Sequence, residues 1–125
     1  MFQKTEMVRA RKAIESLYNG KCTITEYQKV QKANKSTGFE EVVILENQPC
    51  RLSIQGVNSA SQTETGASAL TQTIKVFIAP EINVKPGSKL TITQNQVSSE
   101  YKSSGEPAHY ITHQEIVLEL FKGWS

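Results

Sequence analysis

The side chains of this chain that could hold a metal are His109, His113, Cys22 and Cys50. The histidines stand four residues apart, a spacing that shares a face on a helix and also returns to one side of an unbroken strand. Two such ligands do not make a site, so each histidine is expected to be an ordinary surface or strand-end residue. Aspartate is absent from the chain, which removes the commonest magnesium ligand and weakens any phosphoryl-transfer reading. Serine is abundant, yet no Gly-x-Ser-x-Gly elbow occurs, and neither histidine has an acidic orienter at a telling position, Glu106 and Glu115 being nearby by accident of sequence. Glu40 and Glu41 precede a strand and would point to opposite faces, the wrong arrangement for shared acid/base work. The turns Lys85-Pro86-Gly87-Ser88 and Ser104-Gly105 are followed by no helical pattern and read as strand connections, not phosphate cradles. The expectation is a protein that is not an enzyme and holds no metal or cofactor.

Nucleic-acid binding normally shows as basic residues interleaved with exposed aromatics on one sheet face. Here the cations gather on the N-terminal segment and at Lys29, Lys32 and Lys35, with Tyr27 the aromatic among them. Sequence-specific reading of DNA is therefore not expected. A small β-barrel that binds nucleic acid or another macromolecule stays as the alternative function.

These residues must be positioned by 125 residues of which 38% are hydrophobic, enough for one domain with a modest core. Net charge is only +2, but Met1–Lys35 carries eight Lys or Arg against three Glu and the remainder six against nine. The resulting +5 and −3 describe two differently charged surfaces, suited to docking between unlike neighbours or head-to-tail stacking. No apolar run approaches the ~20 residues of a membrane-spanning helix, and the N-terminus lacks a signal-peptide core. No membrane association is expected, and the host cytoplasm is the expected place of assembly. In a reducing compartment Cys22 and Cys50 read as two buried thiols, not a disulfide.

Met7, Ala10, Ile14, Leu17 and Tyr18 recur at spacings of three and four, which predicts one amphipathic helix over residues 7–18. Residues 1–6 would be an extension, and Asn19-Gly20 would close the helix with a left-handed glycine. Its apolar stripe must pack on the sheet or on a partner chain. From Lys21 onward the period becomes two. Strands are predicted at Cys22–Tyr27, Glu41–Leu45, Arg51–Gln55, Thr73–Ala79, Lys89–Gln94, Glu100–Lys102 and Tyr110–Phe121, with a bend at Pro49-Cys50. The fold class is mainly β: a small antiparallel barrel or sandwich of six to seven short strands over residues 21–121, preceded by the helix. Asn58–Ala69 has no large apolar group and no periodicity, so it is expected to be a long mobile loop with a function.

The order Ile74-Lys-Val-Phe-Ile-Ala-Pro80, Val84-Lys-Pro-Gly-Ser-Lys-Leu-Thr-Ile92, Glu100-Tyr101, then Gly105-Glu-Pro-Ala-His-Tyr-Ile-Thr-His-Gln-Glu-Ile-Val-Leu118 resembles the small neck proteins of tailed bacteriophages. These are variously called head-closure, head-completion (stopper) or head-tail joining proteins. The likeness covers roughly the last fifty residues well and the earlier part only in general layout. It implies a virion protein, a barrel-like subunit of a ring oligomer with itself, below the portal or adaptor and above a tail-completion or tail-terminator protein. It also implies passing contact with packaged DNA, through a loop that reaches the channel. Asn58, Ser59, Gln62, Thr63, Glu64, Thr65, Gly66 and Ser68 would be that channel or partner loop. Arg9, Arg11 and Lys12 would be docking charges on the helix, and Phe121 with Trp124 a candidate apolar anchor, unless Trp124 caps the core. The helix and basic N-terminus depart from relatives that have little there.

Overall fold

Where Val, Ile and Leu recur at every second position near Val76, Leu90 and Ile116, the chain runs as a strand with those members turned inward. Ile24, Val76, Ile78, Leu90, Ile92, Ile116 and Leu118 are all buried. The computed structural model describes residues 4–58 and 70–124. Its elements are α1 (Lys4–Glu15), β1 (Gly20–Gln31), β2 (Thr37–Asn58), β3 (Leu70–Ile78), β4 (Lys89–Gln94), β5 (Val97–Ser103), β6 (Ala108–His109) and β7 (Gln114–Leu120). The strands form one antiparallel sheet of seven, in the order β3-β2-β1-β4-β5-β7-β6, and β3 also pairs with β7. That last pairing closes a hydrogen-bonded ring β1-β2-β3-β7-β5-β4, to which β6 adds two residues along β7. The expected class, mainly β with one N-terminal helix, is the class the chain adopts.

All six ring strands contribute to the core. Cys22 and Ile24 come from β1, Cys50 from β2, Val76 and Ile78 from β3, Leu90 and Ile92 from β4, Tyr101 from β5, and Ile116 and Leu118 from β7. Ile82 and Val84 enter from the β3–β4 connection. Gln114, fully buried, fixes that connection by donating from Nε2 to the Ala79 and Ile82 carbonyls at 2.8 and 2.5 Å.

The strands differ from the sequence expectation in ways that have physical causes. Glu41–Leu45 and Arg51–Gln55 are parts of one strand, because Pro49 does not break β2. Over Thr37–Cys50 this strand pairs with β1, and over Cys50–Asn58 with β3, so the edge of Pro49 away from β1 carries no described partner strand. A proline is tolerated on such an edge. The pairing is irregular instead between Cys22 and Ile24, opposite Asn47 with its φ of 52°, and again between Ile24 and Thr25. The last predicted strand is likewise divided: the Tyr110 N–H donates to the His113 carbonyl at 2.8 Å, closing a tight turn between β6 and β7. Between β4 and β5, Asn95 and Gln96 take φ of 52° and 67°, the pair of left-handed residues that matches the twist of a two-residue hairpin.

The helix is also shifted. It occupies Lys4–Glu15 instead of 7–18, so residues placed in the extension form its first turn. Glu6 lies in the first turn and Lys12 in the last, both favourable against the helix dipole. Leu17 and Tyr18 then donate to the carbonyls three residues earlier, and the helix ends before Asn19. Gly20 is not its cap: it is the first residue of β1, with no positive φ. It is needed for space, since a Cβ there would lie 2.9 Å from Gln94 Oε1 and 3.1 Å from the Cys50 carbonyl.

Candidate functional site

Two hairpins extend past the closed ring. β7 pairs with β3 only over Ile74–Ile78, whereas β2 pairs with β3 out to Asn58 and Leu70. The stretch Gln55–Asn58 with Leu70–Thr73 is therefore a two-stranded ribbon standing clear of the ring. Residues 59–69 follow its end. Asn58 closes β2, while Ser59, Gln62, Thr63, Glu64, Thr65, Gly66 and Ser68 lie outside the described residues. The other, the first ribbon in chain order, lengthens the hairpin predicted from Cys22–Tyr27 and Glu41–Leu45 with its turn at Asn34–Gly38. β4 pairs with β1 only over Gly20–Thr25, but β1 and β2 stay paired from Glu26–Val42 to Gln31–Thr37.

The helix charges do not act as one set. Arg9 and Lys12 are exposed, but Arg11 is committed within the chain. It binds Glu15 at 2.8 Å and reaches across to Glu81, and it holds the Glu81 carboxyl below the usual carboxylate range. Arg11 is thus a tether between α1 and the β3–β4 connection. No residue of α1 with a described side chain is buried, and Val8 is 48% exposed. At the helix end Ile14, Leu17 and Tyr18 face Arg51, Phe77 and His113 across a depression of about 350 Å³. Burial pushes the Tyr18 phenol up to about 12, with a further contribution from Glu15.

Phe121 and Trp124 do not project as a free anchor, nor does Trp124 enter the core. Trp124 stacks on Tyr27 with centroids 5.0 Å apart and meets Phe121 edge-on at 5.0 Å, and Phe39 stacks on the other side of Tyr27 at 5.5 Å. Lys89, 8% exposed, sits under this row, its Nζ 5.1 Å from the Phe121 ring and 5.9 Å from that of Trp124. The same ammonium pairs with Glu41 at 2.7 Å and Glu100 at 3.4 Å, and Trp124 Nε1 donates to Glu41 at 2.9 Å. Lys89 first and Trp124 second hold the Glu41 carboxyl below its ordinary range, and Glu41 raises the Lys89 ammonium in return. The C-terminal segment is thus clasped over the outside of β1 and β4, beside the base of the first ribbon. A sequence signal existed: Tyr27 and Phe39 flank the predicted hairpin turn at near-symmetric distances, which brings them together diagonally.

The candidate ligand set is split in two. His113 lies 3.2 Å from Glu115 and stacks on Tyr110 at 4.8 Å, while His109 is in β6 on the other side of the turn. Cys22 and Cys50 are free thiols inside the ring. The hydrogen bond to Cys50, together with burial, pushes the Cys22 thiol up. Among the described residues no three His, Cys or Glu side chains converge as a metal site would require, and no helix is long and apolar enough to cross a membrane.

No protein-family model and no curated protein matches the chain. Among solved structures it is similar to the phage-like element PBSX protein xkdH of Bacillus subtilis, with 12% identity and a TM-score of 0.46. The likeness covers 80% of this chain and 91% of that one.

Proposed function

We propose that this chain is a non-enzymatic structural subunit of the neck of a tailed-phage virion, the head-closure or head-tail connector component. In this reading it forms a ring below the portal, helps retain packaged DNA and docks the tail. The observation that carries the reading is the β2–β3 ribbon, which joins a long polar segment to a closed, well-packed core through a two-stranded arm. A loop that must reach a channel while its subunit stays fixed in a ring needs that construction. The motifs from Ile74 to Leu118 that resemble neck proteins lend independent support. A portal or adaptor protein above, and a tail-completion or tail-terminator protein below, are the partners this role requires. The exposed Arg9 and Lys12 are the helix charges available for them.

The test is deletion of Gln62–Ser68. The shortened chain should show the parental thermal transition, whereas virions assembled with it should lose DNA or fail to take a tail. Unfolding on deletion, or virions with full DNA retention and tails, would refute the role of the loop. A second reading, a small β-barrel that binds nucleic acid, rests on the exposed Lys29, Lys32 and Lys35 at the end of the first ribbon. It predicts DNA affinity of the purified chain with a log–log salt slope of about −0.9 per phosphate neutralised, which the neck reading does not require.

A further inference from the structure

The first ribbon has two open edges of opposite charge. Beyond Thr25, β1 has left β4, and between Thr37 and Pro49 β2 has not yet met β3, so β2 presents a long unpaired edge among the described residues. Such an edge offers a row of N–H and C=O groups to any strand that can reach it. Over Thr37–Pro49 the charged residues are Glu40, Glu41 and Glu46, with no Lys or Arg. Over Glu26–Lys35 they are Lys29, Lys32 and Lys35 against the one Glu26, whose Oε1 accepts from Gln28 Nε2 at 2.9 Å. None of those lysines, nor Glu40 or Glu46, forms an ion pair among the described residues. The β2 segment also exposes Phe39, Val43 and Ile44, at 58%, 50% and 38%. Native edges are usually blunted by lysine; here the lysines stand on one edge and the acids on the other.

We infer that this ribbon joins copies of the chain: the β2 edge of one copy takes the β1 edge, Gln28–Gln31, of the next. Because the two strands of a ribbon run in opposite directions, ribbons placed side by side continue the same up-and-down antiparallel order. Each junction sets the acidic β2 strand, with Glu40 and Glu46 free of ion pairs among the described residues, beside Lys29 and the turn lysines Lys32 and Lys35, and a like edge is rejected by like charge. The contact is heterologous, one patch against a different patch, which is the kind that closes into a ring at a fixed rotation. The inference rests on the ring reading above for the occupant, a second copy. Main-chain hydrogen bonds supply the attraction, and the charges supply partner and register.

The experiment uses the purified full chain and variants whose changes leave Glu41 in its clasp. One variant is Lys29→Glu with Lys32→Glu, the other Glu40→Lys with Glu46→Lys. Sedimentation to about 1 mM, the weak limit of specific association, should show salt-sensitive self-association of the parent. Each variant alone should lose it at least tenfold, and an equimolar mixture of the two should recover it. Amide exchange should slow on association at every second residue across Glu40–Leu45, since alternate amides point to the open edge. A parent that stays monomeric, association that survives either reversal, or exchange that slows elsewhere would overturn the inference. The neck reading is judged separately, in virions, by the loop deletion. Charge-dependent association with normal DNA retention after that deletion would leave this edge standing and the loop role refuted.

Discussion

Gln94 is the most informative residue to remove, because it substitutes for a missing strand. Where β2 passes from β1 to β3, the edge of Leu52 facing β4 has no described strand beside it: β1 begins at Gly20, opposite Cys50. The Gln94 amide fills the gap, accepting the Leu52 N–H at 2.8 Å and donating to the Leu52 carbonyl at 3.1 Å. Gln94→Ala removes both bonds and leaves a half-buried donor and acceptor without their partners. At about 1 kcal/mol for each bond, and up to ~3 kcal/mol where the orphaned group stays dry, the expected loss is about 2–3 kcal/mol. For a domain of this size that lowers the melting temperature by roughly 10 °C. Gly20→Ala tests the same contact from the other side, since the new Cβ would sit 2.9 Å from Gln94 Oε1 and displace the amide. The double variant should therefore be less destabilised than the sum of the singles by about 1 kcal/mol. Thermal unfolding by circular dichroism measures all three, with Gln72→Ala on the exposed ribbon as a control expected within about 0.5 kcal/mol of the parent. A melting temperature for Gln94→Ala within about 2 °C of the parent, or strict additivity in the cycle, would refute the strand-substitute argument.

Further outcomes follow from the clasp, the thiols and the tether. Trp124→Ala removes a stack on Tyr27 and an edge contact with Phe121, and should cost about 2 kcal/mol in chemical denaturation while leaving the β signature in place. The Glu41 carboxyl titrates below its ordinary 4.5 in the folded chain, so its stabilisation is complete above that pH and is lost as pH falls through the lower folded value. Lys89 titrates above its ordinary 10.5, so its stabilisation is complete below that pH and is lost as pH rises through the higher folded value. Trp124 fluorescence should accordingly be flat between these limits and change outside them, and Lys89→Met should abolish the alkaline change and weaken the acid one, which the Trp124–Glu41 hydrogen bond still supports. Cys22 and Cys50, both at 0% exposure, should resist a thiol reagent in the native chain and react with it two per chain in denaturant. Arg11→Ala should cost less than about 1 kcal/mol, because the pair with Glu81 is largely exposed, yet amide exchange across Lys4–Glu15 should rise as the helix loses its tether.

Much of the fold was legible in local pattern because burial on one face writes itself into a period of two. Val76 and Ile78, Leu90 and Ile92, and Ile116 and Leu118 each marked a strand whose inward side chains are now in the core. What failed were inferences from single residues whose meaning depends on a distant neighbour. Pro49 reads as a bend until the edge of β2 that it occupies is known to carry no described partner strand. Gly20 reads as a helix cap until Gln94 and Cys50 are seen to close on it. Trp124 reads as a loose terminal anchor until Tyr27, Glu41 and Lys89 arrive from β1, β2 and β4.

Composition and periodicity by themselves determined the mainly β class, the N-terminal helix, the uneven charge and the polar stretch after Asn58, since each is a property of neighbours along the chain. Only the tertiary structure decided that β3 meets β7 to close the ring, that Arg11 is spent on Glu81, and that the first ribbon leaves an acidic and a basic edge open. Those outcomes depend on which strands share hydrogen bonds across tens of residues. Pairing of that range is chosen by the summed burial of the whole core, and no local window contains it.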